Sequence, residues 1–179
     1  MTVSRRTFIA TSGAALAASA LARPAFAQGA TRSITTPYGT YDIPAEPRGT
    51  GSFGSGMRRG ITDAQDRLWW GGYDGGFIGL LDPRKASGEQ MKLYPVPFPY
   101  FFPYDAHHDD RGYTWTGGIY ADRVARMNVE SGEWNFYLLP FEANIRDVNL
   151  QPPQGNGLSG LWIGHTHQAM ITLVEPLAR

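Results

Sequence analysis

Leu68-Trp69-Trp70-Gly71-Gly72, Thr114-Trp115-Thr116-Gly117-Gly118 and Leu161-Trp162-Ile163-Gly164-His165 are three versions of one pattern, W-x-G-[GH]. Their leading tryptophans stand 46 and 47 residues apart. Downstream come Ile78-Gly79-Leu80-Leu81-Asp82-Pro83, Val124-Ala125-Arg126-Met127-Asn128-Val129 and Ile171-Thr172-Leu173-Val174-Glu175-Pro176, so the register holds at two separate anchors. A third anchor, aromatic-x-aliphatic-Pro, ends two units as Tyr94-Pro95-Val96-Pro97 and Tyr137-Leu138-Leu139-Pro140. It also occurs ahead of the first unit, as Tyr41-Asp42-Ile43-Pro44. A period of this length marks a repeated supersecondary unit whose copies bury one another.

The composition names that unit. In 179 residues there are 22 Gly, 13 Pro and 13% aromatic side chains, which reads as one domain of short strands joined by turns. Unit one resolves into strands at 58–62, 67–71, 77–82 and 90–94, separated by polar and Gly-rich turns. Unit two repeats them at 104–108, 113–116, 123–128 and 133–138. Unit three carries a longer loop, 151–159, and stops after its third strand.

Four antiparallel strands at this spacing predict all-β propeller blades, bounded as 57–98, 99–140 and 141–177. Ahead of them, 28–56 reads as a small-polar tether, a single strand within 34–44 and a Gly/Ser/Pro loop. The unpaired N-terminal strand and the missing fourth strand of unit three predict closure of first on last, which covers an exposed edge. Propellers use about four to eight blades, which leaves three arrangements open. Two chains form a six-bladed homodimeric ring, the chain is a shortened copy of a longer protein, or the sheets form an open arc.

Residues 1–27 are set aside from the fold. Ser4-Arg5-Arg6-Thr7-Phe8-Ile9 is a twin-arginine n-region, an Ala-rich stretch follows, and Ala25-Phe26-Ala27 is a small-x-small cleavage site. The expectation is a periplasmic or secreted protein delivered by the twin-arginine route. No membrane association is expected after cleavage. Without the leader, 13 basic face 16 acidic residues, and Lys85 and Lys92 are the only lysines. That balance excludes a phosphate-tracking groove, so no nucleic-acid partner is expected. Cysteine is absent, so no disulfide supplies stability.

The cadence L-W-W-G-G…F-I-G-L-L-D-P…Y-P-V-P over residues 68–97 resembles the streptogramin B lyase family, often called virginiamycin B lyase-like, whose blades read L-W-F-T-E…K-I-G-R-I-D…E-Y-P-L-P. Residues 103–140 and Val174-Glu175-Pro176-Leu177 extend the resemblance over roughly 57–177. It implies a propeller fold and a carbon–oxygen lyase that opens a cyclic depsipeptide ester by elimination. It further implies a divalent metal, Mg²⁺, to stabilise the enolate and a His to move the proton. The family's His follows Pro as P-H-[GA]-I, where this chain has Arg58 and Pro103-Tyr104. Its Glu ends W-F-x-E, where this chain has Gly72, Gly118 and His165. Neither motif is intact, so no catalytic residue carries over.

The chain's own chemistry points elsewhere. His107 and His108 end an inner strand, followed by Asp109, and His165 and His167 follow the third W-x-G. Residues two apart in a strand share a face, so His165 and His167, joined by Asp109, are candidate metal ligands. His107, His108 and Arg58 are the candidate catalytic groups of a reorganised lyase site. Arg59, Tyr104 and Arg146, at the starts of inner strands, are candidate substrate-binding groups, since a guanidinium donates a planar fork to a carboxylate or ester carbonyl. The same residues also fit ordinary turn positions and ion pairs with Asp63, Asp105 or Asp147. The aromatic connector Phe98-Pro99-Tyr100-Phe101-Phe102-Pro103-Tyr104 reads as buried under the next blade or as a contact surface. The second function class, beside a lyase, is a non-catalytic propeller that binds a small-molecule, peptide or protein ligand.

Overall fold

A computed structural model describes residues 32–36, 39–43, 56–155 and 157–177. The expected leader and most of the tether and loop of 28–56 lie outside the described residues. The protein is all-β: three antiparallel sheets of four, four and three strands, with a separate two-stranded hairpin.

Unit one is β3 (Met57–Thr62), β4 (Leu68–Gly72), β5 (Phe77–Leu81) and β6 (Met91–Pro95), paired in that order. Unit two is β7 (His107–His108), β8 (Tyr113–Gly117), β9 (Arg123–Asn128) and β10 (Trp134–Leu138). Unit three is β11 (Ile145–Gln151), β12 (Gly160–His165) and β13 (Met170–Val174).

The expected closure of unit three by the N-terminal strand is not what forms. Of residues 34–44, read as one strand, 34–36 lie in β1 (Arg32–Thr36) and 39–43 in β2 (Gly39–Ile43), which pair with each other in register Arg32 to Ile43, while 37, 38 and 44 lie outside the described residues. Pro37 offers no N–H to continue a ladder, and pairing adjacent segments closes a far smaller loop than reaching β13. The tether is correspondingly shorter than expected, since β1 already starts at Arg32.

The repeat pattern earns its spacing through the faces of the sheets. Register places Trp69, Gly71, Ile78 and Tyr94 on one face of unit one. They pack with Ala106 and Met127 of unit two. On the opposite face of unit two, Trp115, Gly117, Val124 and Tyr137 meet Ile145, Val148, Leu161 and Ile163 of unit three. Trp69 and Trp115 are fully buried, so in units one and two the repeat's tryptophan is the anchor against the next unit; removing such a side chain costs about 3–5 kcal/mol.

The glycine two residues on is equally determined. A Cβ on Gly71 would sit 2.6 Å from the backbone of Pro103 and Tyr104, and one on Gly117 would sit 2.2 Å from Ile145 Cγ2. Only a bare Cα lets the next unit's entering chain come this close.

Candidate ligand-binding mouth

These two contacts orient the blades. Each inner strand enters beside the end of the second strand of the preceding unit, so the β4–β5, β8–β9 and β12–β13 turns share one end with the inner-strand entries. That end is the mouth. The β3–β4 and β7–β8 turns form the opposite, hairpin end.

At the hairpin end the polar groups are committed to structure. Asp63 accepts hydrogen bonds from Gln65 N, Arg67 N, Arg67 Nε and Trp69 Nε1 at 2.7–3.0 Å. Burial works to raise its pKa, but these donors outweigh it and hold the carboxyl below its ordinary value. Asp109 does the same in unit two, accepting from Arg111 N, Tyr113 N and Trp115 Nε1 at 2.9–3.1 Å. It fastens a turn to a core tryptophan, with its acceptor oxygens already used. Asp109 also sits at the opposite end from His165 and His167, so the expected three-ligand set is not gathered. His108 stacks on Trp69 at 4.6 Å and 9° and shares a 2.9 Å hydrogen bond with Thr114 Oγ1. Burial lowers its pKa.

The inner strands bring a charged group from each unit to the axis. Arg59 pairs with Asp147 of β11 at 2.7 Å, lies 5.7 Å over the Tyr104 ring and donates its backbone N–H to Tyr104 O. Both partners of the ion pair are more than half exposed, which limits its worth to about 0–1 kcal/mol. Beneath it Asp105 is buried; Oδ2 accepts from Val148 N at 2.9 Å, and Oδ1 has no partner. Burial above all pushes this carboxyl up to about 7, with Asp147 adding and Val148 N–H and Arg59 opposing. Buried His107 has its Nε2 3.8 Å from Asp105 Oδ2, and burial lowers its pKa. Asp105 is tuned into the range of a general base but is almost fully enclosed, so it ties unit two to unit three rather than facing a ligand.

Arginine and aromatic rings dominate the mouth. Arg58 lies 4.8 Å over Tyr73 and, among the described residues, has no carboxylate partner. Tyr73 packs on Phe102 at 5.2 Å and meets Tyr104 edge-on at 6.0 Å, and Phe102 meets Tyr120 at 5.7 Å and Tyr100 at 6.4 Å. Burial, followed by a hydrogen bond to Tyr120, pushes the Tyr73 hydroxyl up to about 12. Tyr100 and Tyr120 remain 79% and 64% exposed.

The connector therefore divides into a buried part and a part turned to the mouth. Phe98 and Phe101 pack under the second unit against Phe136, while Tyr100 and Phe102 are turned to the mouth by a left-handed backbone, φ 59° and 50°. Non-glycine residues in that region are strained by about 1–3 kcal/mol.

Beyond Tyr120 the mouth continues into a cleft of about 620 Å³ lined by Tyr120, Asp122, Glu142, Asn144, His165 and His167 among others. His165 is buried at the end of β12, with Nε2 2.9 Å from Thr172 Oγ1, its ring edge-on to Phe141 and Nδ1 unpartnered. Burial lowers its pKa. His167 lies in the following turn rather than in the strand, so the shared-face expectation does not apply, though both line the cleft. Arg146, at a bulge in β11, donates to Asn144 Oδ1 at 2.9 Å instead of joining Arg58 and Arg59.

Among the described residues no three His, Asp or Glu side chains come together as a metal set, so the residues described do not fit the implied Mg²⁺. Of the residues at the mouth, Arg58, Arg59 and Tyr104 were singled out from the sequence, whereas Tyr73 and Tyr120 were not. The signal was available: they stand 47 residues apart, in equivalent turns.

Three-dimensional comparison fits this arrangement of sheets. The blades share the fold of streptogramin B lyase. A streptogramin B lyase structure aligns at TM-score 0.56 and 16% identity, over 79% of this chain and 46% of the other. Virginiamycin B lyase from Staphylococcus aureus aligns at 0.54 and 17%, over 79% and 47%. A catalytically inactive form of that enzyme with quinupristin aligns at 0.53 and 14%, over 82% and 49%. The chain thus spans about half the length of the solved propellers it matches. No family model matches the sequence, and neither does any curated protein.

Proposed function

We propose that this is an exported propeller protein that binds a small-molecule or peptide ligand at the mouth, and that these residues bind rather than break a bond. The observation that carries the reading is Arg58, exposed on β3 and without a carboxylate partner among the described residues, poised over Tyr73 in a continuous surface with Phe102, Tyr100 and Tyr120. A guanidinium beside exposed rings suits a ligand that couples a flat apolar group to a carboxylate or carbonyl. The twin-arginine leader supports delivery to the periplasm or beyond. The acidic balance of the rest of the chain supports a partner that is neither nucleic acid nor an anionic membrane.

The likeness in fold to lyases supports a second reading, elimination at a cyclic depsipeptide ester. In that reaction the ester C–O bond breaks, a base takes the proton from the adjacent carbon, and a linear isomer of unchanged mass results.

Quinupristin, bound in one of the matched structures, is a direct probe of both readings. The chain is titrated with it by tyrosine and tryptophan fluorescence, with and without Mg²⁺, and the compound is then recovered and chromatographed. Binding that Arg58→Ala weakens about tenfold, with the ring recovered intact, supports the binder. A linear isomer formed in proportion to protein supports the lyase. No binding of quinupristin or of a panel of aromatic carboxylates would overturn the proposed mouth.

A further inference from the structure

The three repeat glycines do not share one fate. Gly71 and Gly117 are pressed against the entering chain of the next unit, whereas a Cβ on Gly164 would meet nothing within 4 Å. Among the strand glycines of the three sheets only Gly164 has such space; those at 60, 71, 72, 79, 117 and 160 all have a neighbour within 3.1 Å. A glycine inside a strand gives up about 0.5–1 kcal/mol against alanine, and at Gly164 nothing among the described residues offsets that loss.

Register puts Trp162, Gly164, Ile171 and Leu173 on one face of unit three, the face that in units one and two carries the buried tryptophan. Here Trp162 is 39% and Ile171 74% exposed. Unit one has the matching deficit: all six residues of β3 are exposed, including Met57 and Ile61. The face of unit one that points away from unit two, by contrast, already buries Trp70, Phe77 and Leu81 within this chain.

We infer that the open face of unit three receives the inner strand β3 of a second copy of this chain, with Gly164 as its seat. A two-fold axis along the channel uses this head-to-tail contact twice and closes the assembly. The occupant is a second copy because one chain carries both halves of the contact, an inner strand with no glycine beneath it and a glycine with no strand above it.

The contact completes a site. The repeat offset makes Arg58 the counterpart of Tyr104, which lies against Gly71. Docking on Gly164 therefore brings the second copy's Arg58 beside the cleft that holds His165 and His167. The cleft gains a guanidinium and becomes selective for an anionic group.

The test needs no ligand, so its failure is separable from failure of the binding reading. The full chain is examined by light scattering across a concentration series, beside Gly164→Val and Ile171→Asp. The wild type is expected at twice the 19.7 kDa of one chain. Both variants are expected to associate at least tenfold more weakly, with unchanged circular dichroism, because neither site is packed within one chain. A wild type that stays monomeric, or a Gly164→Val protein that associates like wild type, overturns the inference.

Discussion

The hairpin end and the mouth are built from the same residue types, Asp, His, Arg and aromatics, yet they hold them in opposite ways. At the hairpin end the turn carboxylates are spent: Asp63 and Asp109 each clasp a core tryptophan and the turn that precedes it. His108 is flattened on Trp69. At the mouth, among the described residues, Arg58 has only a ring beneath it, the Nδ1 of His165 is unpartnered, and two tyrosines face solvent. A side chain's type does not reveal whether it serves stability or binding; the number of its partners does.

That contrast breaks most readily at Asp109. Asp109→Ala leaves the Trp115 indole and two turn amides without their acceptor, at about 1–3 kcal/mol for a buried donor, so a loss of about 2–3 kcal/mol in urea unfolding is expected. Asp122→Ala at the mouth removes one acceptor, for Ala143 N, and is expected to cost about 1 kcal/mol. Equal costs at the two positions would erase the distinction. Asp63 adds a sign. Its carboxyl is held below the ordinary value, so its contribution is present above that value and lost as pH falls through the native one.

Asp105, between the two ends, titrates with the opposite sign. Its native carboxyl keeps a proton up to about 7, whereas an unfolded one releases it near 3.8. The native state therefore binds more protons across that window, and stability falls as pH rises through it. His107, lowered by burial, works against this trend near its own ordinary value of 6.5, and Arg59 and Asp147 face the same space. Asp105→Asn, which retains an acceptor for Val148 N, is expected to flatten the decline by on the order of 1–2 kcal/mol between pH 5 and 8. Parallel unfolding profiles for variant and wild type would show that the carboxyl does not titrate there.

How much of this was legible depended on whether the repeat controlled it. β9 begins and ends where the second anchor predicts, at Arg123 and Asn128. β7 was expected at 104–108 but pairs with β8 only at His107 and His108, apart from a single bridge from Pro103 to Gly118. Tyr104 to Ala106 serves other neighbours: its backbone crosses Gly71, and Asp105 reaches Val148 in the third unit. No local pattern encodes that. Asp109 was legible in principle, since it stands 46 residues after Asp63 in the same turn, but its neighbouring histidines suggested a metal instead. The mouth is assembled from connectors and turns of different units, so composition drew attention to Phe98–Tyr104 without revealing which rings turn inward.

The smallest expected effect separates the two ends most sharply. Tyr100 is 79% exposed and holds a left-handed backbone at φ 59°, a conformation that glycine adopts without strain. Tyr100→Gly should therefore stabilise the fold slightly, by up to about 1 kcal/mol, with the relieved strain partly offset by the greater freedom of the unfolded chain. If strain at this position is kept for presenting a ring to a ligand, the same variant should bind quinupristin or an aromatic carboxylate several-fold more weakly. A rise in the thermal midpoint with a fall in affinity would mark the mouth as a surface held ready at the expense of stability. Loss of stability, or affinity unchanged within error, would assign Tyr100 to packing and return the mouth to the same category as the hairpin end.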